Sequence, residues 1–263
     1  MVQLLGIPFD ANSSYLRGPA LAPALIRKMW MDGSSNDFSE QGMEIREGIS
    51  FVDCGDLEFP DQQSVTAFEN ILQSAGRLLQ REKKIFSLGG DHSVSYPLIA
   101  AVAGFHHPLH VLHIDAHADL YHNFDDNPYS HASPFARILE RNLIASLTQA
   151  GIRTLTTHQR EQAKKFGVSI IEAAGFSHSF VDELKGPLYI SLDLDALDPA
   201  FAPGVSHHEP GGLSTREVID MIQRIHVPVV GADIVEYNPL RDTHQVTAMV
   251  AYKLFKELMS KMY

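Results

Sequence analysis

The chain has 263 residues, 44 % hydrophobic and 20 % charged, the make-up of an ordinary folded protein with enough apolar matter for a substantial core. A formal net charge of −11 argues against nucleic acid or an anionic membrane as partner, because both demand a basic face. The single cysteine, Cys54, excludes an internal disulfide and fits a reducing compartment. With no apolar run of membrane-span length and no targeting pattern before the apolar stretch 2–7, the expected location is the cytoplasm.

Taken in chain order, apolar strand-like segments fall at Gln3–Ile7 and Ser50–Asp53, followed by a helical stripe of Val65, Phe68, Leu72, Ala75 and Leu79. Strands then recur at Ile85–Leu88, His110–Ile114 and Leu147–Ile152. A helix over Arg160–Phe166 separates these from strands at Val168–Ile171 and Leu188–Leu192. Ser214-Thr215-Arg216-Glu217 has the form of a capping box, in which the serine and glutamate side chains satisfy each other's backbone N–H groups. It opens a helix over Thr215–Ile225. The last strand is Val229–Ala232, and a helix over Val246–Met259 closes the chain with Val250, Leu254 and Leu258 on a stripe suited to core or interface. Most strands are continuous apolar runs, as in parallel strands buried on both faces, and they alternate with helices. The expectation is an α/β fold on a mostly parallel sheet. With no repeat or linker, 1–263 reads as a single domain.

Chemistry concentrates at three strand ends: Gly89-Gly90-Asp91-His92-Ser93, Asp115-Ala116-His117-Ala118-Asp119, and Asp193-Leu194-Asp195. Singly, each has a plain structural reading: Asp91 capping a turn, or Asp193 and Asp195 capping neighbouring loops. Together they gather more like charge than a strand edge tolerates without cations. If the chain stays extended past the strand, Asp115, His117 and Asp119 share one face, as do Asp193 and Asp195. Six donors, four of them anionic, exceed what one zinc takes and suit two divalent ions, whose +4 balances four aspartates. In that arrangement His92, Asp115, Asp119 and Asp193 hold one ion, while Asp115, His117, Asp193 and Asp195 hold the other. Oxygen-rich ligation without thiolate favours manganese, with other divalent cations possible.

These blocks resemble the signatures of the arginase/agmatinase (ureohydrolase) family. The segments 12–19, 129–137, 198–206, 209–213 and 231–239 are similar to its plant-type arginase branch, so the resemblance spans essentially the whole chain. It implies a three-layer αβα sandwich with an eight-stranded central sheet, in agreement with the strand count. It also implies a manganese pair, hydrolysis of a small guanidino substrate with release of urea, and a homo-oligomer (trimer or hexamer). Two further residues carry over: His131 as the proton shuttle and Glu236 as the carboxylate that holds the guanidinium. On residues alone, His131 reads as a solvated loop histidine, and Glu236 equally as a surface partner of Arg241. The resemblance further implies that the segment 120–129 meets the substrate's α-amino and α-carboxylate groups, and it leaves His207, His208, Asp91 and Asp198 as structural or supporting groups.

Arginine is the leading substrate on this reading. Agmatine, guanidinobutyrate, formiminoglutamate and guanidine remain open. A mononuclear zinc amide hydrolase is a second class, disfavoured by the second aspartates Asp119 and Asp195. A silent binding protein of the same fold is a third, disfavoured because buried charges without chemistry are costly.

Overall fold

The structure is a computed structural model that describes every residue except Ser34. Its frame is one eight-stranded sheet, β1 Val2–Gly6, β2 Phe51–Asp56, β3 Ile85–Leu88, β4 His110–Ile114, β5 Ser146–Ile152, β6 Ser169–Glu172, β7 Leu188–Asp193 and β8 Val229–Val235. The order is β2-β1-β3-β8-β7-β4-β5-β6, with every pairing parallel. All eight expected strands are present: β3 and β4 as expected, β1, β5, β6 and β7 with ends shifted by one residue, and β2 and β8 running three residues further.

Seven helices cover the sheet: α1 Ala22–Met31, α2 Ser64–Arg81, α3 Ser95–Ala103, α4 Pro134–Glu140, α5 Thr157–Phe166, α6 Thr215–Gln223 and α7 Val246–Met262. One apolar layer joins α1, α6 and α7 to the sheet, and a second joins α2, α3, α4 and α5 to the other face. This is the expected three-layer αβα sandwich. Leu254 and Leu258 of α7 are fully buried, so the closing helix serves the core.

The capping box at Ser214 and Glu217 forms as expected, though α6 ends at Gln223, and a second one at Thr156 and Gln159 starts α5 three residues earlier than expected. The stripe on α2 needs correction. Ala75 and Leu79 are buried together with Ala67, Ile71 and Ser74, Phe68 and Leu72 pack half-buried against the same layer, and of the expected stripe only Val65 lies exposed, at the first turn. Helices α1, α3 and α4 were not foreseen. Among the described residues, no helix is long and apolar enough to cross a membrane.

Strands β3, β8, β7 and β4 are adjacent at the sheet centre, and their carboxyl ends carry the clusters singled out above. Ligand sites form there in parallel α/β sheets because the strand ends open onto loops.

Candidate active site

Gly90, just past β3, explains why that turn needs glycine. A Cβ there would lie 1.7 Å from the Phe9 carbonyl oxygen, so only glycine lets the β1 and β3 loops pack together. The next residue, Asp91, caps the following turn by accepting the Ser93 N–H, and its carboxylate also accepts the Asn12 N–H at 2.9 Å. Asp91 is therefore structural, as expected, and burial pushes its carboxyl up to about 6.

His92 projects from this turn into a ring of acids. Its Nδ1 lies 3.1 Å from Asp115 Oδ2, 3.2 Å from Asp119 Oδ2 and 3.1 Å from Asp193 Oδ2. The tautomer follows from the other side of the ring. Ser191 Oγ donates its one hydrogen to Asp233 Oδ1 at 2.7 Å, so toward His92 Nε2, 3.0 Å away, it can only accept. Nε2 then carries the proton, and Nδ1 presents a lone pair to three carboxylates. Nδ1 is fully buried and makes no hydrogen bond. A lone pair facing three anions is repulsive unless a cation lies between them, so these residues fit a metal ion. Without one, burial would lower the His92 pKa, but the carboxylates outweigh it and drive the ring to protonate.

A second group adjoins the first. His117 Nδ1 lies 3.0 Å from Asp195 Oδ2 and 3.5 Å from Asp115 Oδ1, with its Nε2 facing Glu209 at 3.8 Å. Asp115 is common to both groups. Asp193 joins them through its backbone neighbour, its Oδ1 accepting the Asp195 N–H at 2.8 Å. The chain does not stay extended to bring Asp119 in. It turns, with Asp119 at φ 49°, and reaches the same place by a bend. Burial, together with the facing carboxylates, raises Asp193 well above the ordinary range and Asp195 to about 6, the mark of acids crowded without counter-ions.

Glu236 follows β8 at φ 63° and is almost fully buried. Its Oε1 accepts the His92 N–H at 2.9 Å and lies 2.8 Å from His131 Nδ1, while Oε2 has no partner. A surface pairing with Arg241 is thus ruled out. His131 is equally buried, with Nε2 2.8 Å from Ser14 Oγ, and is no solvated loop residue.

A family model described as Arginase family matches residues 1–260. The chain belongs to the arginase family. Members of that family act on small guanidino compounds with a binuclear metal centre. The chain is 44 % identical to "Arginase 1, mitochondrial" of Arabidopsis thaliana, over 98 % of this chain and 80 % of the plant protein. It is 31 % identical to an agmatinase of Bacillus cereus, over 98 % and 90 % of the two chains. The solved structure of an arginase from Medicago truncatula superposes with a TM-score of 0.92 at 40 % identity, covering 99 % of this chain and 86 % of that one.

In this member of the arginase family, Asp119, Asp193, Asp195, His117, His131 and Glu236 line one cavity of about 180 Å³. Its remaining wall corrects the picture drawn from sequence. Of the segment 120–129, only Tyr121 and Phe124 line it, both aromatic, and the polar lining comes from Ser14, Thr154, Thr156 and Gln159. His207 also lines it, its ring 5.4 Å from that of His131 and 6.0 Å from that of His117. The sequence reading left His207 as structural. His208 does face outward, against the Pro203 carbonyl. The available signal was the pattern Thr156-x-x-Gln159 directly after β5, which places a helix start at the functional edge of the sheet.

Proposed function

We propose that the chain hydrolyses L-arginine to L-ornithine and urea at a two-manganese centre. The bare His92 Nδ1 facing three carboxylate oxygens carries this reading, because such an arrangement is repulsive without a cation. His92, Asp115, Asp119 and Asp193 would hold one ion and Asp115, His117, Asp193 and Asp195 the other. Carboxylate and imidazole donors without thiolate favour manganese. When bound, the pair supplies Lewis acidity and lowers the pKa of water so that it can attack near neutral pH.

The chain's own residues account for the rest. Glu236 keeps one oxygen free for a guanidinium N–H while the other is fixed by His92 and His131. That fixity orients the guanidinium carbon toward the acids, the positioning on which such catalysis depends. Asp119 lines the cavity where it can accept a hydrogen bond from the attacking water. Water adds its oxygen to the guanidinium carbon and gives up a proton to Asp119, and the bond from that carbon to the substrate's side-chain nitrogen breaks. The departing amine takes up two protons, both from the water and one by way of His131, leaving neutral urea and an alkylammonium.

Arginine is favoured over agmatine by the hydroxyl and amide wall of Ser14, Thr154, Thr156 and Gln159, which suits an α-carboxylate beside the amine; agmatine keeps the amine but brings no carboxylate. The likeness to an agmatinase keeps that substrate as the second reading. A trimer or hexamer in the cytoplasm, acting as one unit over 1–263, belongs to the same proposal and is read by light scattering and cell fractionation. The deciding experiment is urea release from manganese-loaded protein with arginine and agmatine side by side. Turnover of arginine upholds the proposal, turnover of agmatine alone transfers it to the second reading, and urea from neither overturns both.

A further inference from the structure

His113 stands in the middle of β4 with Gln149 beside it in register on β5, and both are completely buried. Buried polar side chains in the heart of a parallel sheet are costly unless every group finds a partner. Here the partners run in one direction, with Gln149 Oε1 alone left without one. Gln149 Nε2 lies 2.6 Å from the Ala118 carbonyl oxygen and 2.8 Å from His113 Nδ1. A carbonyl only accepts, so the amide must turn its nitrogen that way and cannot be flipped. The same nitrogen then donates to His113 Nδ1, which places the ring's proton on Nε2, 2.6 Å from Asp115 Oδ2. Phe135, stacked on the imidazole at 3.9 Å between centroids, keeps the ring in plane.

Asp115 belongs, with Asp193, to both proposed ion sets, and each of its two oxygens faces one of the two ligand histidines. Its Oδ1 accepts the His117 N–H at 2.6 Å and faces His117 Nδ1, while Oδ2 faces His92 Nδ1. Each oxygen is thus anchored by one donor from behind and directed at one cluster in front. His113 lies close enough to be counted among the donors itself, but a nitrogen carrying a proton for Asp115 has no lone pair to give.

We propose that Gln149 and His113 are positioning residues, a two-step relay from the Ala118 carbonyl that fixes the orientation in which Asp115 spans both ions. The inference rests on the reading that two ions bind here, and it is independent of which guanidino compound is the substrate.

Manganese binding to metal-free protein, measured against a competing chelator, tests it. Gln149→Met keeps the volume and removes the donor. Both ions should then bind about 10- to 100-fold more weakly, together, as is usual when a partner behind a ligand is lost. His113→Phe keeps the stack on Phe135 and should show the same joint loss. The double variant should be no worse than His113→Phe alone, because Gln149 acts only through the ring. In zinc-loaded wild type, nitrogen NMR should find the His113 proton on Nε2, and Gln149→Met should shift it toward a mixture of the two tautomers. Should Gln149→Met fail to fold, His113→Phe and the wild-type tautomer carry the test. Wild-type affinity in a folded variant, losses that add in the double variant, or a proton on Nδ1 in the wild type would each overturn the relay. Wild type that binds fewer than two ions overturns the two-ion reading and the relay with it, whereas failure to hydrolyse arginine leaves the relay standing.

Discussion

Glu236 occupies the left-handed region that glutamate rarely adopts, at a cost of about 1–3 kcal/mol, and is kept there by its N–H bond to the Gly90 carbonyl and by the His92 N–H on its side chain. Its pairing with His131 makes a pH prediction. Burial alone would lower the His131 pKa, but the Glu236 carboxylate outweighs it and lifts the ring to about 9. Glu236 in turn is held below its ordinary range, because His131 outweighs the burial that would raise it. A raised histidine contributes stability that is complete below its unfolded pKa, about 6.5, and lost on the way to the folded value. A lowered carboxylate contributes stability above its unfolded pKa and loses it on acidification. In metal-free protein, the stability margin of wild type over His131→Gln should therefore peak near pH 6 and shrink toward pH 9. Urea denaturation across that range measures it, and a margin that grows with pH contradicts the pairing. Asp193→Asn should lower the occupancy of both ions in a metal assay, since Asp193 belongs to both proposed sets; full occupancy would show the assignment to be wrong.

Arg153, just after β5, fastens the loops that carry the second cluster. Its guanidinium donates to the carbonyls of Gly151, Asp195, Ala196, Leu197 and Glu209, five acceptors spread around one planar group. Lysine offers its donors from a single point and cannot reach them together. Arg153→Lys should cost about 1–3 kcal/mol by chemical denaturation and weaken manganese more at the His117–Asp195 position than at His92. The elements that sequence made legible are those with a plain period or cap: strands of continuous apolar residues and the Ser214–Glu217 box. Helix α3, Ser-Tyr-Pro-Leu-Ile-Ala-Ala-Val-Ala, is buried on nearly every side, so it has no polar face to mark its period. Helices α1 and α4 carry proline in their first turn, which reads as a break although it is well tolerated there. The clustered donors His92, Asp115, His117, Asp119, Asp193 and Asp195 were legible because their density at strand ends has few structural explanations, whereas His131 and Glu236 came only from the family resemblance and His207 was passed over. Ser14 and Thr154 were not legible either, since hydroxyls are common on any surface and only the fold turns these inward.

At the scale of the whole molecule, the metal-free protein should carry protons where ions belong. His92 and His117 are raised well above their ordinary range, the facing carboxylates overcoming burial, and Asp193 is raised by burial and its acidic neighbours. Cations displace those protons. Adding manganese at pH 7 should release protons, read by calorimetry in buffers of differing ionisation enthalpy, and a 100-fold excess over Kd should add about 2.7 kcal/mol of stability. Ion uptake without proton release would mean that the histidines are already neutral.

The central position of β3, β8, β7 and β4 has a kinetic consequence. Four donors, His92, Asp115, His117 and Asp119, come from the stretch around β3 and β4, but Asp193 and Asp195 arrive only with β7, and the Glu236 that locks His92 closes 144 residues. In the sheet β3 and β4 are separated by β8 and β7, so the group cannot close until both central strands are in place, and contacts of such long range form late in folding. During refolding in the presence of manganese, a metal-sensitive signal should therefore trail the recovery of helix and sheet. Capture of the ions becomes a clock for closure of the middle of the sheet, and a partly folded chain competes for them only with an incomplete set of donors.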